Sequence, residues 1–154
     1  MSLAHSGAMW HERTQARGCS VRGMRQESFE RVYSRAPWEQ RVGYCRALRA
    51  GSLVFVTGTA PIDGSGAGVH APGDAYAQAR RCLELIEQAI AAFAIDRSRV
   101  VRTRMFVTDI SRWAEFGRAH AEFFGEHRPA TTMVEVKALI DPAMLIEIEA
   151  DAVC

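Results

Sequence analysis

The last stretch of the chain alternates strictly between two kinds of side chain. One set of alternate positions is apolar and comprises Ile146, Ile148, Ala150 and Ala152. The other set comprises Leu145, Glu147, Glu149 and Asp151. A period of two is that of a β-strand, and it places the two sets on opposite faces of a sheet. The sequence therefore predicts a terminal strand with one packed face, whose acidic face meets water, a partner or a ligand.

Four more strands are predicted upstream of this one. They occupy the apolar or alternating runs at residues 41–49, 53–60, 99–108 and 128–136. Gly51, at the junction of the first two runs, favours a hairpin between them. Pro37 predicts an extended or turn conformation in the segment that leads into the hairpin, residues 29–40.

Two amphipathic helices separate the later strands. Asp74 is a good N-cap for the first helix, whose apolar residues recur at helical spacing from Ala79 to Phe93. Ser111 is predicted to cap the second helix. The apolar stripe of that helix comprises Trp113, Phe116, His120, Phe123 and Phe124. Because His120 lies within an aromatic stripe, we interpret it as a packed or hydrogen-bonded histidine.

The order strand, strand, helix, strand, helix, strand, strand predicts an α+β domain. Helices that follow strands imply crossover connections, so we expect a mixed sheet with both helices on one face. The second sheet face would then stay partly apolar and uncovered, which predicts an oligomer. Residues 29–154 form one domain in this interpretation, and the arginine-rich residues 1–28 form an N-terminal extension.

The strand over residues 99–108 offers a second use for the acidic face of the last strand. Its predicted faces are Val101, Thr103, Met105 and Val107 on one side, and Val100, Arg102, Arg104 and Phe106 on the other. Arg102 and Arg104 share a face, as do Glu147, Glu149 and Asp151. A cross-strand ladder of charges is therefore an alternative to a chemical role for Glu147.

Composition excludes several classes of function. A net charge of +1 gives no general attraction to nucleic acid or to an anionic membrane. The four cysteines are scattered and the histidines do not cluster with them, so we expect free thiols, no metal site and no cofactor. No apolar run is long enough to span a bilayer, and no secretory signal is evident, so the expected location is the cytoplasm.

Several separated motifs resemble the RidA/YjgF/L-PSP family. They are Gly43-Tyr44, Val54 to Thr59, Gln78 to Arg80, Val107 to Asp109, Pro129-Ala130, Val134 to Val136 and Ile146 to Ala150. The resemblance covers roughly residues 37–153. It implies a chorismate-mutase-like fold that closes into a homotrimer, with clefts for a small-molecule ligand between subunits.

The resemblance also implies candidate site residues. In members that deaminate imines, the cleft uses a Tyr, a Ser or Thr, an Arg after Pro-Ala, a small residue or Cys, and a Glu from the last strand. Tyr44, Thr57 and Glu147 stand at matching positions, whereas Thr131 replaces the Arg and Met133 replaces the Cys. The candidates are therefore Glu147 and Thr131 for catalysis, and Tyr44, Thr57 and Met133 for substrate binding.

The substitution at Thr131 separates the functional hypotheses. An Arg binds a carboxylate through two charged hydrogen bonds, and losing such an interaction costs about 1.5–3 kcal/mol. Thr131 offers one neutral hydroxyl, and Arg128, which precedes Pro129, is expected to project elsewhere. One hypothesis is an imine or enamine deaminase; the alternative is a metabolite-binding or regulatory trimer without catalysis. RNA cleavage ranks last because no basic stripe with interleaved aromatic residues is present.

Overall fold

The computed structural model describes residues 29–34, 36–66 and 68–154, so the predicted extension over residues 1–28 lies outside the described residues. The strands of the described part are β1 (Glu30–Val32), β2 (Ala47–Ala50), β3 (Leu53–Thr59), β4 (Val100–Val107), β5 (Ala130–Glu135) and β6 (Ile146–Val153). Its α-helices are α1 (Pro37–Val42), α2 (Ala75–Ala91) and α3 (Trp113–Phe124). None of these helices is long and apolar enough to cross a membrane.

The strands form one mixed sheet in the order β1-β2-β3-β6-β4-β5. Neighbouring strands are antiparallel, except that β5 runs parallel to β4. The terminal strand β6 lies between β3 and β4, which explains why its alternation is so strict. A strand with neighbours on both edges and helices on one face must keep each side chain on its assigned side.

The core lies between the sheet and the long helices, as the sequence predicts. The apolar residues of β6 are at most 1% exposed, and they join a cluster that includes Leu83, Ile86 and Phe116. Asp74 caps α2 by accepting a hydrogen bond from the backbone amide of Ala77 at 2.9 Å. The opposite face of the sheet is open in the single chain. Leu53 is 48% exposed there and Phe55 is 43% exposed.

The segment before the hairpin differs from the prediction. Residues 37–42 form the short helix α1 instead of an extended lead-in and the start of a strand. Pro37 occupies the first turn, where its missing N–H group needs no partner, so it starts the helix rather than preventing one. Gly43 ends α1 with φ +81°, and only residues 47–50 of the predicted first strand belong to β2. The lead-in also contains β1, which pairs with β2.

The start of α3 was also predicted wrongly. The N-cap position of α3 is Arg112, which makes no side-chain capping hydrogen bond, rather than Ser111. Asp109 caps the turn before the helix, because its carboxylate accepts hydrogen bonds from the amide and hydroxyl of Ser111 at 3.0 and 2.6 Å. A short 3-10 turn over Ile110–Arg112 follows and leads into α3 at Trp113. Trp113 is 63% exposed and does not join the buried part of the stripe.

A register shift in β4 corrects the predicted faces at its start. Thr103, Met105 and Val107 are buried, as expected for one face, but Val101 is 46% exposed while Val100 is buried. The pairing of β4 with β6 is irregular between Val100 and Arg102, so the alternation changes phase there. An extra residue of this kind cannot be read from the apolar pattern alone.

Candidate functional site

A pocket of about 820 Å³ opens on the sheet face opposite α2 and α3, with Glu39 of the short helix α1 in its lining. Tyr44 and Thr57 both line it, together with Phe55, Glu149 and Asp151. Tyr44 reaches this place because the chain turns at Gly43, directly after α1. The structure therefore brings together two of the residues that were predicted to bind a ligand.

Glu147 lies beside this pocket, against the backbone of β3. A Cβ atom at Gly58 would overlap the Glu147 Oε1 atom, so the carboxyl group occupies the space that the glycine leaves open. Gly58 follows Thr57 directly and sits where the pairing of β3 with β6 is irregular, between Val56 and Thr59. Glu147 thus contacts Gly58, whose neighbour Thr57 lines the pocket.

The environment of Glu147 raises its pKa relative to that of an ordinary glutamate. Burial raises the pKa of the half-buried Glu147 carboxyl, and the nearby charge of Glu149 raises it further. The guanidinium of Arg46 acts in the opposite direction and lowers this pKa. Burial has the largest effect, so the pKa of Glu147 lies above that of an ordinary glutamate.

Arg46 is a residue of this site that the sequence did not identify. Its Nη2 donates hydrogen bonds to the backbone oxygens of Thr57 at 3.2 Å and Gly58 at 2.7 Å. Its Nε is buried and has no hydrogen-bond partner among the described residues, and burial lowers the pKa of the guanidinium. Arg46 therefore fixes the backbone on which Glu147 rests. The position of Arg46, two residues after Tyr44, was the only feature of the sequence that could have indicated a place in this site.

The predicted charge ladder forms only in part, because among the described residues neither Arg102 nor Glu147 makes an ion pair. Arg104 makes ion pairs with Glu149 at 3.4 Å and with Asp151 at 3.1 Å. The arginine whose field acts on Glu147 is Arg46, which precedes β2. Glu149 and Asp151 of β6 therefore form ion pairs in the ladder, whereas Glu147 does not.

Thr131 and Met133 lie on the other side of the sheet. The parallel register sets Thr131 beside Thr103 and Met133 beside Met105, and both partners are buried on the helix side. Met133 accordingly packs against the core. Within one chain, the predicted residues therefore fall into two groups on opposite faces of the sheet.

Thr131 belongs to a small hydrogen-bonded cluster. Its hydroxyl lies 2.9 Å from that of Thr103, 3.3 Å from Nε2 of His120 and 3.1 Å from the backbone oxygen of Pro129. His120 also contacts the Thr103 hydroxyl at 2.9 Å and the ring of Phe124 at 4.6 Å between centroids. His120 is therefore both packed and hydrogen-bonded, as interpreted, and burial lowers its pKa so that the neutral ring is favoured.

A second pocket, of about 500 Å³, opens beside this cluster. Its lining includes His120, Phe124, Thr131 and Arg128. Arg128, which was expected to project elsewhere, is a lining residue of the same pocket as Thr131. The backbone of Arg128 has φ +28°, a left-handed conformation that the sequence did not reveal.

The family of the protein follows from its match to known sequences. Residues 34–154 match the family model described as endoribonuclease L-PSP. The chain belongs to this family. The resemblance carried by the separated motifs is thereby confirmed, and the endoribonuclease L-PSP family accounts for all of the described sheet except β1.

Individual members of the L-PSP family agree with this assignment. A Mycobacterium tuberculosis protein of the YjgF family has a crystal structure with a TM-score of 0.74 and 48% identity, covering 82% of this chain and 100% of that one. An uncharacterised Streptomyces coelicolor protein is 36% identical over 84% of this chain and 95% of its own length. The 2-iminobutanoate/2-iminopropanoate deaminase of Salmonella typhimurium is 34% identical over 71% of this chain and 86% of its own length.

Metal chemistry finds no support in the side-chain arrangement. Within residues 29–34, 36–66 and 68–154, no three or more His, Cys, Asp or Glu side chains are grouped so that they could hold a metal ion. Cys45, Cys82 and Cys154 are free thiols. The groups available for chemistry at the two pockets include carboxyl, hydroxyl, imidazole and guanidinium groups and the Cys45 thiol.

Proposed function

We propose that this protein hydrolyses an imine or enamine to a carbonyl compound and ammonia. The observation that carries the proposal is the half-buried Glu147 carboxyl, with its raised pKa, against Gly58, which directly follows Thr57 of the pocket that Tyr44 and Thr57 line. A carboxyl group with a raised pKa is suited to proton transfer near neutral pH. The deaminase activity named for the Salmonella relative supports the same reaction class.

Glu147 has two tasks in the proposed reaction. It first acts as a base on an imine that is protonated at nitrogen, removing a proton from a water molecule that adds to the imine carbon. The resulting carbinolamine carries both a hydroxyl group and an amino group on that carbon. Glu147 then acts as an acid and returns the proton to the nitrogen. The C–N bond breaks, the departing ammonia takes up the hydroxyl proton as ammonium, and the hydroxyl oxygen becomes the carbonyl oxygen. Tyr44 and Thr57 supply hydroxyl groups that orient the ligand.

The complete cleft in this proposal lies between subunits of a homotrimer. Two features of the chain support an assembled site. Glu147 and Thr131 are on opposite faces of the same sheet, so one chain cannot present both to one small ligand. Leu53 and Phe55 on the open face remain exposed in the single chain, and a second copy that covers this face would bury them.

A metabolite-binding trimer without catalysis is the second candidate. The observation that favours it is the state of Thr131, whose hydroxyl is already surrounded by Thr103, His120 and Pro129. A neutral hydroxyl with these partners does not replace the charge of a carboxylate-binding arginine. RNA cleavage has less support, since a net charge of +1 offers little attraction to a polyanion.

The proposal predicts that Glu147→Gln removes imine hydrolysis. Hydrolysis of enzymatically generated 2-iminobutanoate would be followed as release of 2-oxobutanoate, with and without the protein. Losing a proton-transfer group lowers rates by about 10²–10⁴-fold. The matched control is Glu84→Gln, because Glu84 is a half-exposed residue of α2 with only 3.9 Å ion pairs to Arg80 and Arg81. A folded wild-type protein that gives no acceleration, or a Glu147→Gln variant as fast as wild type, would contradict the proposal.

A further inference from the structure

We propose that Arg128 binds the carboxylate of the ligand in the pocket beside Thr131, and so supplies the positive charge that Thr131 lacks. The substrate class in this inference, imines that carry a carboxylate, depends on the proposed function. The choice of Arg128 depends on the structure, because Arg128, Thr131 and His120 line one pocket.

The charge of this pocket is unbalanced. Arg128 is exposed, and its guanidinium has no hydrogen bond or ion pair with any described residue. The other described residues of the lining are His120, Ala121, Phe124, Gly125, Pro129 and Thr131. None of them is acidic, and the His120 ring is held in its neutral form by burial. An anionic group entering the pocket would therefore meet an uncompensated cation with free donors.

The backbone at Arg128 is held in an unusual conformation. Its φ of +28° is in the left-handed region, which side chains other than glycine seldom adopt. A residue before proline normally prefers an extended conformation, so Pro129 makes this arrangement still less expected. Conformations of this kind are concentrated at ligand sites, where the surrounding structure maintains them. Here the conformation occurs at the turn between α3 and β5, on the wall of the pocket.

The hydroxyl cluster complements this role. A threonine hydroxyl has a single proton, and that of Thr131 is directed to Thr103, to His120 or to the backbone oxygen of Pro129. The Thr131 oxygen also has two lone pairs, and in this proposal one of them accepts a hydrogen bond from a ligand N–H group. An imine that carries a carboxylate has both groups on adjacent carbons. Thr131 fits its nitrogen end, whereas Arg128 fits its anionic end.

Binding of 2-oxobutanoate, the keto acid that retains the carboxylate, tests the inference without requiring turnover. We expect Arg128→Gln to weaken this binding in calorimetry by about 10- to 150-fold, the loss typical of a charged hydrogen-bonded contact. Arg118→Gln is the matched control, because Arg118 is exposed on α3 and stacks on Tyr76, and its binding should equal that of wild type. The double variant Arg128→Gln/Thr131→Arg should regain affinity, which a misfolded protein could not do.

The outcomes separate this inference from the proposed function. Binding that depends on Arg128 without any hydrolysis would retain the carboxylate site and reject the deaminase. Hydrolysis that depends on Glu147 but is unchanged by Arg128→Gln would retain the deaminase and reject the role of Arg128. Wild-type protein that fails to bind 2-oxobutanoate would overturn the inference, as would equal affinity of wild type and Arg128→Gln.

Discussion

Gly58 and Glu147 meet where β3 departs from regular pairing with β6. The glycine has no side chain, and the Glu147 carboxyl fills the resulting space. The contact atom is the far end of a flexible side chain, so a methyl group at residue 58 would displace the carboxyl rather than the backbone. This makes Gly58 a positioning residue for Glu147 in our account.

We therefore predict that Gly58→Ala lowers the rate of imine hydrolysis at least about tenfold, because a displaced base no longer reaches its proton. The melting temperature should change little, and circular dichroism should remain that of the wild type. Gly64→Ala is the control, since a Cβ atom at Gly64 meets nothing within 4 Å and that residue lies in a surface loop. Full activity in Gly58→Ala would show that the position of the Glu147 carboxyl does not matter.

Individual site residues were predictable to different degrees. Tyr44, Thr57 and Glu147 were located through motifs, and the structure places all three in or beside one open pocket. Arg46 and Arg128 were not identified as site residues, because their roles depend on conformation rather than on residue type. Arg46 bonds to carbonyl oxygens of a strand that follows it in the chain, and Arg128 reaches its pocket through a left-handed turn.

At the level of elements, the β4, β5 and α3 junction is held by buried polar contacts. Thr103 is fully buried and joins the hydroxyl of Thr131 to the ring of His120. This cluster ties the edge strand β5 to the helix that packs above it. Its hydrogen bonds matter because an unpaired polar atom in a buried position is costly.

We predict that Thr103→Val destabilises the protein by about 1–2 kcal/mol, since it removes the shared hydroxyl and leaves His120 with one partner fewer. Urea unfolding at fixed protein concentration measures this loss. Thr132→Val is the control, because Thr132 is an exposed residue of the neighbouring strand β5 on the opposite face, and the stability of this variant should match wild type. A stability of Thr103→Val equal to that of the control would mean that the cluster contributes nothing to the fold.

Strands and helices were predictable where the burial of one face makes apolar residues recur at a regular spacing. The strict alternation of β6 and the apolar stripes of α2 and α3 follow from contact with one core, and the structure agrees with each. Prediction failed where the local backbone geometry, rather than burial, determines the structure. Pro37 begins a helix rather than preventing it, and the irregular pairing near Val101 reverses the faces at the start of β4.

On the scale of the whole molecule, the two groups of candidate residues lie on opposite faces of one sheet. Glu147 belongs to the open face, whereas Thr131 faces the helices and shares a pocket with Arg128. A ligand that uses both groups must be bound by two chains. In a closed ring of identical subunits, every cleft then combines the Glu147 of one chain with the Arg128 of the next.

Subunit complementation tests this central claim most directly. The variants Glu147→Gln and Arg128→Gln, each impaired alone, would be co-expressed in equal amounts, and mixed trimers would be verified by native mass spectrometry. Random mixing gives about a quarter of the clefts one intact Glu147 and one intact Arg128 from different chains, so hydrolysis should recover to about a quarter of the wild-type rate. If verified mixed trimers remain as inactive as the single variants, the two groups do not combine across subunits and the account is wrong.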